Sequence, residues 1–237
     1  MTWQKILFHL NHFLFASMNP NFWHERWQHN EIGFHQQEFN AHLQDYWEQL
    51  AVPVGGLVFV PLCGKSRDLL WLRARGHQVL GVELSPIAVR DFFAENTLTP
   101  QITRQGAFVR YEADGLAVLC GDFFDLTPEL LQSVAGVYDR AALIALPLEL
   151  RARYVEHSAA ILPAAAGTLL VSMEYSQNEM NGPPFAVHEE EVRRLYARHY
   201  TVTCLFSKDI LAENPRFQER GLSALAEKVY RLVPCAT

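Results

Sequence analysis

The hydrophobic pattern of the chain switches repeatedly between continuous apolar runs and helical stripes. Runs near 57–62, 78–83, 134–138 and 167–175 read as strands, the last continuous enough to be covered on both faces. Before the first of them, Phe39, Leu43, Tyr46, Trp47 and Leu50 recur at i, i+4, i+7, i+8 and i+11, which predicts an amphipathic helix lying against the sheet. A helix over about 66–75 follows the first strand. Ser85-Pro86 supplies an N-cap and a first helical residue for the next, with Ala88, Val89, Phe92 and Phe93 on its buried face. Leu150, Tyr154, His157 and Ile161 mark a later helix. Glu189 to Glu191 open another, where acidic residues suit the helix dipole, and Val192, Leu195, Tyr196 and His199 form its inner stripe.

Two features depart from simple βα alternation. Residues 109–111 and 116–120 read as short strands around Asp114-Gly115, a hairpin turn, and predict an insertion into the βα series. Segments 201–206 and 226–233 close the chain as a strand pair, and Ser176 to Phe185, with Gly182-Pro183-Pro184, is a loop. The predicted fold is α/β: a doubly wound, mostly parallel seven-stranded sheet with a reversed strand near its edge and an N-terminal helical cover.

The chemistry concentrates in the first βαβ unit. Leu57-Val58-Phe59-Val60-Pro61-Leu62-Cys63-Gly64-Lys65-Ser66 is a strand and a tight turn, and Glu83 ends the second strand, Val79-Leu80-Gly81-Val82-Glu83. A carboxylate at that tip can accept from both hydroxyls of a ribose. Three cofactor classes compete. A triphosphate-binding P-loop needs a glycine at position 59, which is Phe; a dinucleotide turn needs three glycines, and Gly64 stands alone. S-adenosylmethionine, with a ribose and no phosphate, fits best.

Composition narrows the setting. The 237 residues carry a formal net charge of -6 with scattered basic side chains, which disfavours a nucleic-acid partner, and no linker divides them. Cys63, Cys120, Cys204 and Cys235 form no CxxC pair, as expected for reduced thiols in the cytoplasm without a metal centre. No apolar stretch approaches the roughly 18 residues a membrane span needs. The first seventeen residues place Trp3, Leu7, Leu10 and Leu14 on one stripe, but His9, Asn11 and His12 interrupt any signal-peptide core. We read 1–17 as an extension ahead of Met18, with a packed accessory helix as the other reading, and 18–237 as one domain. No sustained heptad seam is present, so a monomer is expected.

Six pieces in order resemble the thiopurine S-methyltransferase family, bacterial type, of class I S-adenosylmethionine-dependent methyltransferases with a Rossmann-like fold. They are Phe22-Trp23-His24-Glu25-Arg26-Trp27 with Ile32-Gly33-Phe34-His35-Gln36, Pro61-Leu62-Cys63-Gly64-Lys65, Gly81-Val82-Glu83, Tyr138-Asp139-Arg140-Ala141-Ala142-Leu143, Gly182-Pro183-Pro184-Phe185 and Glu227-Lys228-Val229-Tyr230. The resemblance spans about residues 20–233. It implies methyl transfer from S-adenosylmethionine, leaving S-adenosylhomocysteine, to the sulfur of a small aromatic or heterocyclic thiol, or to selenium or tellurium. Its rivals are a halide or other small-nucleophile methyltransferase and a silent cofactor-binding protein.

By the same resemblance, Trp27, Leu62, Glu83, Asp122, Phe123 and Arg140 match cofactor contacts, and Phe34, Arg140 and Arg216 match the acceptor side. Asp122 would accept from the adenine amino group with Phe123 packed on the ring, and Trp27 would cover the sulfonium. Arg140 would hold the cofactor carboxylate or an anionic sulfur acceptor, its structural alternative being an ion pair with Asp139 or another acid. Aryl thiols ionise readily, so no general base and no metal is assigned; His35 is the nearest candidate and reads as structural. The segment around Trp27 and Phe34 and the Gly182–Phe185 loop are expected to close over the acceptor.

Overall fold

The computed structural model of the chain describes residues 20–235. The predicted extension 1–17, and whether a helix packs there, lie outside the described residues. The N-terminal cover consists of α1 (Pro20–Gln28) and α2 (Ala41–Tyr46), the latter running into a 3-10 turn, Trp47–Leu50. The first half of the sheet follows as β1 (Leu57–Val60), α3 (Asp68–Ala74), β2 (Gln78–Glu83), α4 (Pro86–Glu95), β3 (Gln101–Gln105), β4 (Phe108–Ala113) and β5 (Leu116–Cys120). After α5 (Pro128–Leu131) come β6 (Val134–Arg140), α6 (Leu148–Ile161) and β7 (Gly167–Glu174). The chain ends with α7 (Glu189–Tyr196), β8 (Tyr200–Asp209), α8 (Pro215–Glu219) and β9 (Ala226–Pro234).

All nine strands form one sheet in the order β3-β4-β5-β2-β1-β6-β7-β9-β8. The five strands from β5 to β7 are parallel, and β9 is antiparallel to both of its neighbours. The seven strands from β5 to β8 are thus the predicted doubly wound sheet, with β9 as its reversed strand. The strand count itself rises to nine, because β3 and β4 extend the sheet beyond β5. The Asp114-Gly115 hairpin is present, with both residues at positive φ (50° and 77°) as a primed turn requires. Its second strand is nevertheless part of the parallel series, paired with β2 from Val79↔Leu116 to Glu83↔Cys120, so the inserted pair is β3 and β4. The sequence pattern misses β3 because this edge strand buries almost nothing; Ile102 is 57% exposed.

Two apolar layers sandwich the sheet. On one face Leu43, Trp47, Leu69, Leu72, Val89, Phe92 and Phe93 pack under the cover, α3 and α4. On the other, Tyr154, Val155, Ile161, Val192 and Tyr196 of α6 and α7 close the core. Ser85 caps α4 by accepting from the Ala88 amide, with Pro86 in the first turn, as expected. The cover is latched by a polar contact that sequence reading did not anticipate. Asp68, 2% exposed at the start of α3, accepts from the Asn40 amide at 2.8 Å and from the Tyr138 hydroxyl at 3.1 Å.

Candidate active site

The carboxyl ends of β5, β2, β1 and β6 adjoin one another along the middle of the sheet, the edge where doubly wound folds bind ligands. Two non-glycine residues with left-handed backbone lie there. Leu62, beyond β1, has φ 46°, and Ala141, beyond β6, has φ 68°. Left-handed geometry costs an L-residue on the order of 1 kcal/mol, and such conformations cluster at ligand sites. Gly64 in the same turn has φ 54°, which a glycine adopts freely.

Glu83 organises this edge. Its Oε2 accepts from the Gly64 amide at 2.9 Å and its Oε1 from the Ser85 amide at 2.7 Å, so one carboxylate ties the β1 turn to the start of α4. Each oxygen keeps lone-pair capacity for a further donor, the requirement for holding two hydroxyls. Burial pushes the Glu83 pKa up to about 6, with the Ser85 and Gly64 amides opposing the shift. Cys63 and Cys120 lie close enough for the Glu83 charge to act on them. Burial, then that charge, raises both thiols, Cys120 to about 11, so neither is an ionised nucleophile.

The aromatic cover meets the same turn. Trp27 is 6% exposed, and a methyl group added at Gly64 would stand 3.1 Å from its ring. Phe34 lies edge-on to Trp27 and Trp23 at 5.6 and 5.8 Å. Arg216, on α8, donates to the Gly33 carbonyl, so Trp27, Phe34 and Arg216, distant in sequence, converge. Leu62, two residues before Gly64 in the same turn, is half-buried.

Arg140 ends β6, half-buried, and the ion pair with Asp139 does not form. Asp139 points the other way, accepting from the Tyr154 hydroxyl at 2.7 Å and the Leu143 amide at 3.3 Å. Among the described residues no carboxylate bridges Arg140. Its charge acts on Arg216, whose pKa is lowered by burial, Arg220 and then Arg140, and on His35. Burial and the nearby Lys65 lower the His35 pKa, Glu95 opposes, and Arg140 and Arg67 lower it further. Lys65 itself, missed as a separate feature although it lies in the turn motif, is 8% exposed and pairs with Glu95 at 2.6 Å.

Two further segments border this edge in the sequence reading. Asp122 does border Glu83, since the Gly121 amide donates to the Glu83 carbonyl, and its Oδ1 caps a 3-10 turn by accepting from Phe124. That turn rotates Phe123 inward, where its ring packs on Tyr154 at 4.8 Å and His157 at 5.4 Å with 6% exposure. The ring is thus held by these neighbours beside the Glu83 edge. The Gly182–Phe185 loop is held in place by backbone bonds. Phe185 donates to the Ile144 carbonyl at 2.7 Å, and the Pro184 carbonyl accepts from the Tyr175 hydroxyl at 2.6 Å.

A groove of about 430 Å³ runs along residues 36–42 and Glu227 and touches none of Glu83, Asp122 or Arg140. Converging geometry at the strand ends, rather than volume, marks the site. Among the described residues no cluster of three His, Cys, Asp or Glu side chains is placed to hold a metal ion.

Residues 18–234 match the sequence profile of the thiopurine S-methyltransferase family. The chain belongs to that family. It is 52% identical over 215 residues to a thiopurine S-methyltransferase of Pseudomonas fluorescens strain Pf0-1, covering 91% of this chain and 99% of the relative. To the enzyme of the same name from Nitrosospira multiformis it is 51% identical, covering 91% and 98%. Among solved structures, a Burkholderia thailandensis 1,6-didemethyltoxoflavin-N1-methyltransferase with bound S-adenosylhomocysteine superposes with a TM-score of 0.59. That match has 16% identity and covers 94% of this chain and 90% of the other, a likeness of fold.

Proposed function

We propose that this family member transfers the methyl group of S-adenosylmethionine to the sulfur of small aromatic or heterocyclic thiols, with selenium or tellurium anions as related acceptors. The observation that carries the reading is Glu83, a buried carboxylate fixed by the Gly64 and Ser85 amides beside a turn with no provision for a diphosphate. Those residues fit a phosphate-free nucleoside. Glu83 would hold the ribose hydroxyls, Asp122 the adenine amino group, the Leu62 turn the neighbouring wall, and Trp27 the methionine end, where an aromatic face favours a cation.

When bound, S-adenosylmethionine supplies a methyl group activated by its sulfonium. The protein's task is positioning and exclusion of water, effects that lower barriers by several kcal/mol, about 7–11 in the best-oriented cases. Trp27 and Phe34 form an apolar roof, and Arg140 and Arg216 give the acceptor side positive charge that favours a thiolate. No side chain is required as a base for an acceptor that arrives ionised. The acceptor is a small molecule; nucleic acid is not a partner of a chain with net charge -6 and scattered basic residues. No described helix is long and apolar enough to cross a membrane. Four free cysteines suit a reducing cytoplasm, and we read the protein as a monomer that uses no metal.

The test is incubation with labelled S-adenosylmethionine and a panel of aryl thiols, thiopurines, and selenium and tellurium oxyanions. Transfer to a thiol is expected. Tight cofactor binding with no transfer to any of them refutes the thiol assignment.

A further inference from the structure

Arg151 is an arginine in the body of α6 that the proposed reaction does not use, yet it is only 3% exposed. Burying a guanidinium costs several kcal/mol unless its donors are matched. Its Nε donates to the Leu146 carbonyl at 2.9 Å and its Nη1 to Glu191 Oε2 at 2.8 Å, while its guanidinium carbon sits 5.8 Å from the centre of the Phe185 ring. These contacts join three segments. Leu146 belongs to the stretch that follows Arg140, Phe185 ends the Gly182–Phe185 loop, and Glu191 lies in the first turn of α7. A second, independent tie links the first two, because the Phe185 amide donates to the Ile144 carbonyl at 2.7 Å. Gln177 supports the loop from its far side, accepting from the Ala186 amide at 2.9 Å and donating to the Met180 carbonyl at 2.6 Å. None of these bonds touches Glu83, Asp122 or the Gly64 turn.

We propose that Arg151 is a positioning residue for the acceptor side of the site: it locks the segment after Arg140 to the Gly182–Phe185 wall, so that its loss loosens the acceptor pocket and spares the cofactor end. The acceptor half of this inference rests on the methyltransferase reading; the clamp does not. A planar fork with an apolar face is needed to meet a carbonyl, a carboxylate and a ring together, and lysine has neither.

The test compares the full-length chain with Arg151→Lys and with the double variant Arg151→Met/Glu191→Leu, which avoids leaving a buried carboxylate unpaired. Amide exchange at Phe185 reads the clamp directly, with Gly64 as reference. We expect Phe185 to exchange about tenfold faster in both variants and Gly64 to be unchanged. With thiophenol as acceptor, KM for the thiol rises about tenfold while KM for S-adenosylmethionine stays within about twofold. Phe185 protected as in the unaltered protein, or both KM values rising together, overturns the proposal. Should the unaltered protein methylate nothing, the functional reading fails by itself, and the exchange comparison still decides whether the clamp exists.

Discussion

Glu83→Gln is the sharpest perturbation available. The variant exchanges one carboxylate oxygen for an NH2 group that must face a backbone N–H, either that of Gly64 or that of Ser85. One buried donor loses its acceptor, a cost of about 1–3 kcal/mol in the ligand-free protein. Toward the ribose, an acceptor for two hydroxyls becomes an acceptor for one. A hydrogen bond to a charged group contributes about 1.5–3 kcal/mol, so S-adenosylmethionine affinity should fall by about one to two orders of magnitude.

The pH dependence makes the test discriminating. Burial raises the Glu83 pKa from its ordinary 4.5 to about 6, and a protonated carboxyl no longer offers two acceptor oxygens. Affinity of the unaltered protein should therefore drop about tenfold between pH 7.5 and pH 5, while that of the variant is low and flat. Stability moves the opposite way. A carboxyl whose pKa is raised by folding contributes stability that is fully present below 4.5 and lost as pH rises through about 6, here about 2 kcal/mol. Asp139, raised by burial from 3.8 to about 6, acts in the same sense. Mild acid thus strengthens the ligand-free fold through these two groups while loosening its hold on the nucleoside. Calorimetric titration and urea unfolding from pH 5 to 7.5 measure both. An affinity in the variant within twofold of the original at pH 7.5, or an original affinity flat down to pH 5, refutes the ribose role.

Gly64→Ala should weaken cofactor binding about tenfold, because the new methyl meets the Trp27 ring at 3.1 Å and the left-handed φ costs on the order of 1 kcal/mol; unchanged calorimetry and unchanged tryptophan fluorescence would show that the contact is absent. Asp68→Asn leaves either the Asn40 amide or the Tyr138 hydroxyl without an acceptor and should cost about 1–3 kcal/mol in urea unfolding. A loss under about 0.5 kcal/mol removes the latch from the account. Arg140→Ala should raise the KM of an aryl thiol at least about tenfold with S-adenosylmethionine affinity nearly constant; the reverse split assigns Arg140 to the cofactor carboxylate.

The first βαβ unit was legible in the sequence because its strands are unbroken apolar runs and a carboxylate stands at the tip of the second. Ser85-Pro86 and Asp114-Gly115 were legible because capping and primed turns depend on local chemistry alone. What escaped notice depended on distant partners or on exposure. Gln101-Ile102-Thr103-Arg104-Gln105 buries too little to leave a pattern, and Asp68 looks like any acid opening a helix until Asn40 and Tyr138 fold onto it. The direction of the Phe123 ring is set by a single 3-10 turn, which the motif around it does not disclose. Arg151 is invisible for a similar reason: on a helical wheel it is merely one polar residue among α6's others, and only the loops brought against it reveal what it holds.

The placement of β9 has a consequence for how the chain is made. Strand β8 has one neighbour in the sheet, β9, which also fills the open side of β7. During synthesis residues 200–209 therefore emerge with no strand to join, and β7, with Leu169, Leu170 and Val171 fully apolar, keeps a bare edge until residues 226–234 arrive. The sheet is completed by insertion of β9 between two strands that precede it in sequence, so displacing this one strand uncovers two strand edges at once and leaves both open to pairing with other copies.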